Sequence, residues 1–275
     1  MRLVRAAVLL TSAAILASPT GSHAADGWPA SVQASYDVNF NGINVGTYDF
    51  KSTQDGQSYR LASNAKLSLL LGALHWSGVT HANGKMAGET AKPQAFGFEF
   101  QAQSKSGSTQ MAFTDDTVTQ VLHTPPAKTK ENVVPVQAQH LKGVLDPLSA
   151  VLAISRGAVG NPCGRRIPIY DGHQRIDLVL SAKGQVQISD QSGPPATGYV
   201  CRVRYVPIAG HKADDQTKFM SQNNDIEIIL RPVAGASIFI PHQITIPTIA
   251  GPASLVARRI NIATNSRQQI ALTSD

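Results

Sequence analysis

Apolar and polar positions alternate with period two along most of this chain. Tyr36, Val38 and Phe40 alternate with Asp37 and Asn39, Asn41-Gly42 follows, and Ile43, Val45 and Thr47 alternate in turn. Successive strand residues face opposite sides of a sheet, and Asn-Gly supplies the positive φ of a two-residue loop, so this stretch predicts a hairpin. The same grammar recurs at Asp55-Gly56 before 59–65, at Asn83-Gly84 between Val79 and Met86, and at Ser106-Gly107 between 96–100 and 111–113. It returns at Lys183-Gly184, which would separate a strand over 176–180 from one over 186–188. Residues 199–206, 226–230, 237–246 and 255–262 supply further strands. Antiparallel strands joined by short turns follow.

One helix interrupts this pattern. Asp146 is a capping residue, Pro147 suits the first helical position, Leu148, Val151 and Leu152 share a face, and Gly157 offers a stop. The apolar run 67–74 reads as a short helix or an irregular segment. Pro125-Pro126 and the polar residues to Glu131 form a possible linker near 124–132, and 193–198 a loop. The predicted fold is mainly β: an antiparallel, twisted half-open barrel or spiral sheet wrapped around one short helix, with a two-sheet β-sandwich as the alternative.

The first residues change the picture by giving an address. Arg2 and Arg5 precede an apolar stretch from Ala6 to Ala17, and Ser22 and Ala24 place small residues where a signal peptidase cuts. Residues 1–24 are therefore expected to be a cleaved signal peptide, with residues 25–275 forming a single β-rich domain in the periplasm. The apolar stretch is too short to cross roughly 30 Å of hydrocarbon, and no later window is apolar enough to be a transmembrane segment. The full chain carries +6; without Arg2 and Arg5, 22 basic residues face 18 acidic ones. An excess of +4 draws anionic surfaces only weakly and argues against nucleic acid as a partner. Cys163 and Cys201 are the only cysteines, and in an oxidising compartment two cysteines most simply form one disulfide.

Catalytic and cofactor signatures do not emerge. Gly-x-Ser-x-Gly, His-Glu-x-x-His and the glycine patterns that cradle phosphates or dinucleotides are all missing from the sequence, so no catalytic residues, metal site or cofactor are assigned. His140 with Asp146, His173 with Asp171, and His211 with Asp214 are close enough in sequence to serve as base and orienter, but each pair lies in a turn-rich polar stretch. Asp115-Asp116 and Asp214-Asp215 read as solvated turns rather than calcium loops.

Four stretches follow in a fixed order: Tyr36-Asp37-Val38 with Gly42 and Gly46, Asp146-Pro147-Leu148-Ser149-Ala150, Cys163-Gly164-Arg165-Arg166-Ile167-Pro168 running into Tyr170-Asp171-Gly172, and Cys201 leading to Tyr205-Val206-Pro207-Ile208-Ala209-Gly210. Together they resemble the bacterial domain-of-unknown-function family numbered 3108. The resemblance implies an exported, predominantly β envelope protein of a Gram-negative bacterium and brings no activity with it. One feature goes beyond scaffolding. A Cys163–Cys201 bond would bring Arg165 and Arg166 near Arg202 and Arg204, with Arg175 close, and Arg202 and Arg204 share a strand face. These arginines form either an anion-binding patch or solvated pairs with Asp171, Asp177 or Asp190. The functional expectation is a non-catalytic periplasmic binding or scaffold protein with an envelope component as partner: a lipid, an anionic polymer or a periplasmic protein. A lipid or lipoprotein carrier with an open apolar cavity is the alternative, and a hydrolase with an unrecognised site the third.

Overall fold

A computed structural model describes residues 28–69, 72–127, 131–157, 161–189 and 195–273. The signal segment 1–24, with its cleavage position, lies outside them, as do parts of the 124–132 and 193–198 segments. The strands are β1 (Ser31–Phe40), β2 (Ile43–Asp55), β3 (Ser58–Leu69), β4 (Leu74–Ala87), β5 (Thr90–Ala102), β6 (Lys105–Thr114) and β7 (Thr117–Thr124) in the first half. The second half supplies β8 (Arg165–Tyr170), β9 (Arg175–Ile188), β10 (Ala196–Ala209), β11 (Glu227–Val233), β12 (Ile238–Thr248), β13 (Gly251–Ala263) and β14 (Gln269–Thr273). Helix α1 (Pro147–Ser155) lies between the halves, and α2 (Asp215–Gln222) between β10 and β11.

All strands belong to one antiparallel sheet in the order β7-β6-β5-β4-β3-β2-β1-β13-β12-β11-β10-β9-β8, with β14 added on β13. Each half is a meander of neighbouring hairpins, and the halves join where β1 pairs β13 from Ser31↔Ala263 to Phe40↔Ala253. The sheet curls but does not close by strand pairing. Its two ends are spliced instead by the segment before α1. Lys142 bridges to Thr117 of β7 and Leu145 to Ile169 of β8, and Leu145 donates to the Pro168 carbonyl at 2.9 Å. This covers part of two edges that would otherwise offer unpaired backbone to another chain. The half-open barrel around a helix is therefore the observed fold, and the sandwich is not.

Helix α1 is the axle. Asp146 caps it through Oδ1, which accepts from the Leu148 and Ser149 N–H groups at 2.9 Å each. Leu148 and Leu152 enter one apolar cluster with Val32, Tyr36, Phe50, Leu61, Phe96 and Ile240 from the first half and β12. Ala150 and Ile154 enter a second with Ile167, Leu180, Val203 and Leu230. At the helix C-terminus the Arg165 guanidinium donates to the Ala153 and Arg156 carbonyls, satisfying acceptors the last turn leaves open.

The structure corrects several local expectations. Asn83-Gly84 lies inside β4, where the ladder to β5 shifts register. A Cβ on Gly84 would meet the Tyr59 hydroxyl at 2.4 Å and the Lys92 carbonyl at 2.2 Å, so glycine there serves close packing within a strand. Lys183-Gly184 sits within the single strand β9, opposite a register shift in β10. The β5–β6 turn falls at Gln103-Ser104, ahead of Ser106-Gly107, because Gln103 takes the left-handed conformation at φ 43°. Of the ambiguous apolar run, 67–69 belong to β3 and Leu74 opens β4, with Gly72 and Ala73 in a tight turn before it. A second helix, α2, occupies a stretch read as turns. Asp214 caps it by accepting from the Thr217 N–H at 2.9 Å.

Candidate functional site

The helix does not fill the barrel evenly. At its start the Ser149 hydroxyl shares a 2.8 Å hydrogen bond with Tyr59, beside the β2–β3 turn. At its end Arg156 reaches the Gly88 carbonyl in the β4–β5 turn at 3.4 Å and stacks 5.4 Å above the Trp28 ring. Both contacts lie at the end of the barrel formed by the β2–β3 and β4–β5 turns. The helix is therefore a stopper for that end. The opposite end, formed by the β1–β2, β3–β4, β5–β6 and β12–β13 turns, lies away from α1, and among the described residues α2 borders it only beside the end of β12.

Beneath the open end lies an apolar cavity of about 150 Å³ lined by residues of β1, β2, β12, β13 and α1, including Ala34, Phe50, Val151 and Ile240. Val32, Ile238 and Trp28 at its depth are buried, whereas Tyr48, Ile244 and Leu255 nearer the uncovered turns are half-buried. The cavity thus faces that end. Its few polar groups are engaged: the Tyr36 hydroxyl donates to the Pro241 carbonyl at 3.0 Å, and burial holds that phenol far above its ordinary range. Along the same inner face of β4 and β5, Trp76, Phe98 and Phe100 form a row, with ring centroids 6.4 and 6.0 Å apart. All three are half-buried, so the aromatic row lines the approach rather than the core. Alternation of apolar residues marked this wall as inward-facing. It carried no signal of whether the interior was filled.

A second, more polar cleft of about 910 Å³ lies between α2, β9, β10 and β12, lined by Asp171, His173, Gln174, Tyr205, Lys212 and Met220 among others. It contains members of two of the three His–Asp pairs. In every pair the carboxylate serves backbone N–H groups. Asp146 caps α1, Asp214 caps α2, and Asp171 Oδ1 accepts from His173 N and Gln174 N at 2.7 and 2.6 Å. His140 Nδ1 in turn accepts from the Gln137 N–H at 3.1 Å, closing its own short turn. The His173 ring stacks on His123 at 4.1 Å, tying the β8–β9 turn to β7.

Cys163 and Cys201 form a disulfide, with Cα atoms 5.3 Å apart, inside the second apolar cluster. The arginines around it are divided. Arg165 faces inward and holds the helix end. Arg166 and Arg175 converge on buried Asp177, with N–O distances of 2.5 Å each. Arg202 and Arg204 lie exposed on the outer face of β10. Arg166 and Arg204 both stand opposite Val179, so they share a face, and Arg202 stands opposite Glu227. Strand parity separates Arg165 from the rest because it is adjacent to Arg166, and Asp177 draws in two more.

Among the described residues no group of three or more His, Cys, Asp and Glu side chains is arranged to hold a metal ion. No helix among them is long and apolar enough to cross a membrane. No curated protein matches the chain. The fold is similar to the crystal structure of a β-barrel-like protein of domain of unknown function DUF1849 from Brucella abortus. The TM-score is 0.56 at 13% identity, covering 86% of this chain and 99% of that one. At that identity the likeness concerns the fold. The family described as "Protein of unknown function (DUF3108)" matches residues 35–257, from within β1 to within β13, and the chain belongs to that family.

Proposed function

We propose that this protein is a non-catalytic binding protein of the cell envelope, exported to the periplasm, whose half-open barrel takes an apolar chain into its interior. One observation carries the reading: the apolar cavity of about 150 Å³ facing the end of the barrel that α1 leaves uncovered. A dry apolar cavity of that size holds a group of roughly benzene size. It therefore suits the end of an acyl chain, with the remainder lying along Trp76, Phe98 and Phe100. A ligand bound this way needs few polar contacts, as is usual of apolar sites.

The test is displacement of a fluorescent fatty acid, cis-parinaric acid, by palmitate. Val151→Phe and, separately, Ile244→Phe place bulk in the cavity from two walls. Both variants are expected to keep the wild-type circular dichroism and lose at least about tenfold in affinity, since each displaces several methylene contacts. Unchanged binding in two folded variants would overturn the proposal. Arg202 and Arg204, exposed side by side on the outer face, support a second and separable contact with an anionic envelope component. R202E/R204E is expected to reduce retention on a phosphocellulose column, and unaltered retention would remove that contact.

A further inference from the structure

We propose that the uncovered end of the barrel is a docking surface for an anionic phospholipid bilayer. Four hairpin turns meet there in register: Gly46 of β2 stands opposite Leu67 of β3, Leu67 opposite Trp76 of β4, and Trp76 opposite Ala102 of β5. The β12–β13 turn joins them through Asn41, whose backbone N–H donates to the Pro252 carbonyl and whose side chain donates to the Ala250 carbonyl. Gln103 ties the β5–β6 turn to the β3–β4 turn by donating to the Ala73 carbonyl at 2.6 Å. Side chains thus staple the tips into one rim.

Among the polar residues of that rim stand three exposed apolar side chains. Ile43 is 69% exposed, Ile249 64% and Leu74 42%, each at or beside a turn. An isolated exposed isoleucine is ordinary; two on neighbouring hairpin tips, with a leucine on the next, form a concentrated apolar crest. Within the turns themselves the charges are of one sign, and the nearest acidic group of α2, Asp214, lies in the neighbouring cleft with Thr248. Across residues 40–47, 66–77, 100–107 and 246–253 the formally charged side chains are Lys66 and Lys105, and there is no Asp or Glu. Both lysines are exposed. Exposed apolar tips on turns that carry cations and no carboxylates match a bilayer of anionic headgroups, where apolar insertion and electrostatic attraction add. The crest also surrounds the end toward which the cavity faces. The surface argument stands apart from the cavity reading, since it needs no ligand inside.

Co-sedimentation with vesicles of phosphatidylglycerol and phosphatidylcholine, against vesicles of phosphatidylcholine alone, tests it. The wild-type chain is expected to bind the anionic vesicles and to bind the zwitterionic ones far more weakly. I43D/I249D changes two exposed tips without touching the core and is expected to weaken binding by roughly a hundredfold. K66E/K105E is expected to weaken it by about tenfold, and added salt to act in the same direction. R202E/R204E, which changes the net charge equally but on the outer face, should weaken binding less than K66E/K105E does. Absence of binding to anionic vesicles would overturn the proposal, as would binding that survives I43D/I249D or that is lost in R202E/R204E instead. Equal binding to both vesicle types would also overturn it. Because no fatty acid is present, a failure here leaves the parinaric acid result standing on its own.

Discussion

Replacing Asp146 by asparagine separates the charge of this residue from its capping geometry. Asp146 is fully buried, its Oδ1 accepts two backbone N–H groups, and its Oδ2 has no hydrogen-bond partner. Burial dominates over those bonds and pushes its pKa from 3.8 up to about 6. A carboxyl with a raised folded pKa binds its proton more tightly in the native state than in the unfolded one. The resulting stabilisation is complete below about pH 4 and is lost as pH rises through about 6. From the shift between 3.8 and about 6, the loss amounts to about 3 kcal/mol. Asparagine caps a helix about as well and carries no charge at any of these pH values.

The assay is urea unfolding of wild type and Asp146→Asn at several pH values from about pH 4 to pH 8. Other carboxylates titrate equally in both chains, so the difference between the chains isolates Asp146. That difference is expected to move by about 2–3 kcal/mol in favour of asparagine as pH rises, with most of the change spread between about pH 4 and pH 6. Any penalty from fitting the amide is a constant offset that does not depend on pH. A difference that stays flat across the range would refute the claim that the carboxylate is held against its burial, and with it the reading of α1 as a dry core element.

Two further outcomes follow from packing and connectivity. C163S/C201S opens a cross-link that spans 38 residues and is expected to cost about 4 kcal/mol by the chain-entropy estimate, read as a lower urea midpoint under oxidising conditions. Under strong reductant wild type should fall toward the variant, and identical midpoints in oxidant would refute the contribution. Gly210→Ala is expected to destabilise by about 3 kcal/mol or more, because Gly210 has φ +76° and an added Cβ would lie 1.8 Å from the His173 carbonyl oxygen. A thermal midpoint within a degree or so of wild type would show that the His173 turn yields freely.

Much of the architecture was legible because it rests on local chemistry. Asn41-Gly42 names a hairpin wherever it falls between alternating strands, and Asp146-Pro147 names a helix start. The errors share a cause. Asn83-Gly84 and Lys183-Gly184 carry turn chemistry but lie within long strands, where glycine admits the Tyr59 ring in one case and stands beside a register shift in the other. Only the partner strand distinguishes a turn from a bulge. Helix α2 was missed because its residues are largely polar and its cap, Asp214, looks like any turn aspartate. The candidate site was less legible still. Which apolar residues face inward follows from parity, but which end α1 covers depends on Ser149 meeting Tyr59, a contact between residues 90 positions apart. Likewise the arginines read as one cluster in sequence until adjacency puts Arg165 and Arg166 on opposite faces.

The pairing of β1 with β13 has a consequence for how the chain reaches its native state. Strands β1–β7 and β8–β12 pair with their sequence neighbours, through short turns that close quickly except at the α2 connection between β10 and β11. The ladder from Ser31↔Ala263 to Phe40↔Ala253 joins residues from the two ends of the described chain. Its loop-closure cost is compensated only once both meanders exist, so the rate of folding should be governed by this late, long-range zippering. Until β13 is available, β1 keeps an unpaired edge, and a chain truncated before Gly251 would hold that edge open to a second copy of itself. The same strand pair that makes one barrel from two meanders therefore sets the interval during which the protein is most prone to aggregate.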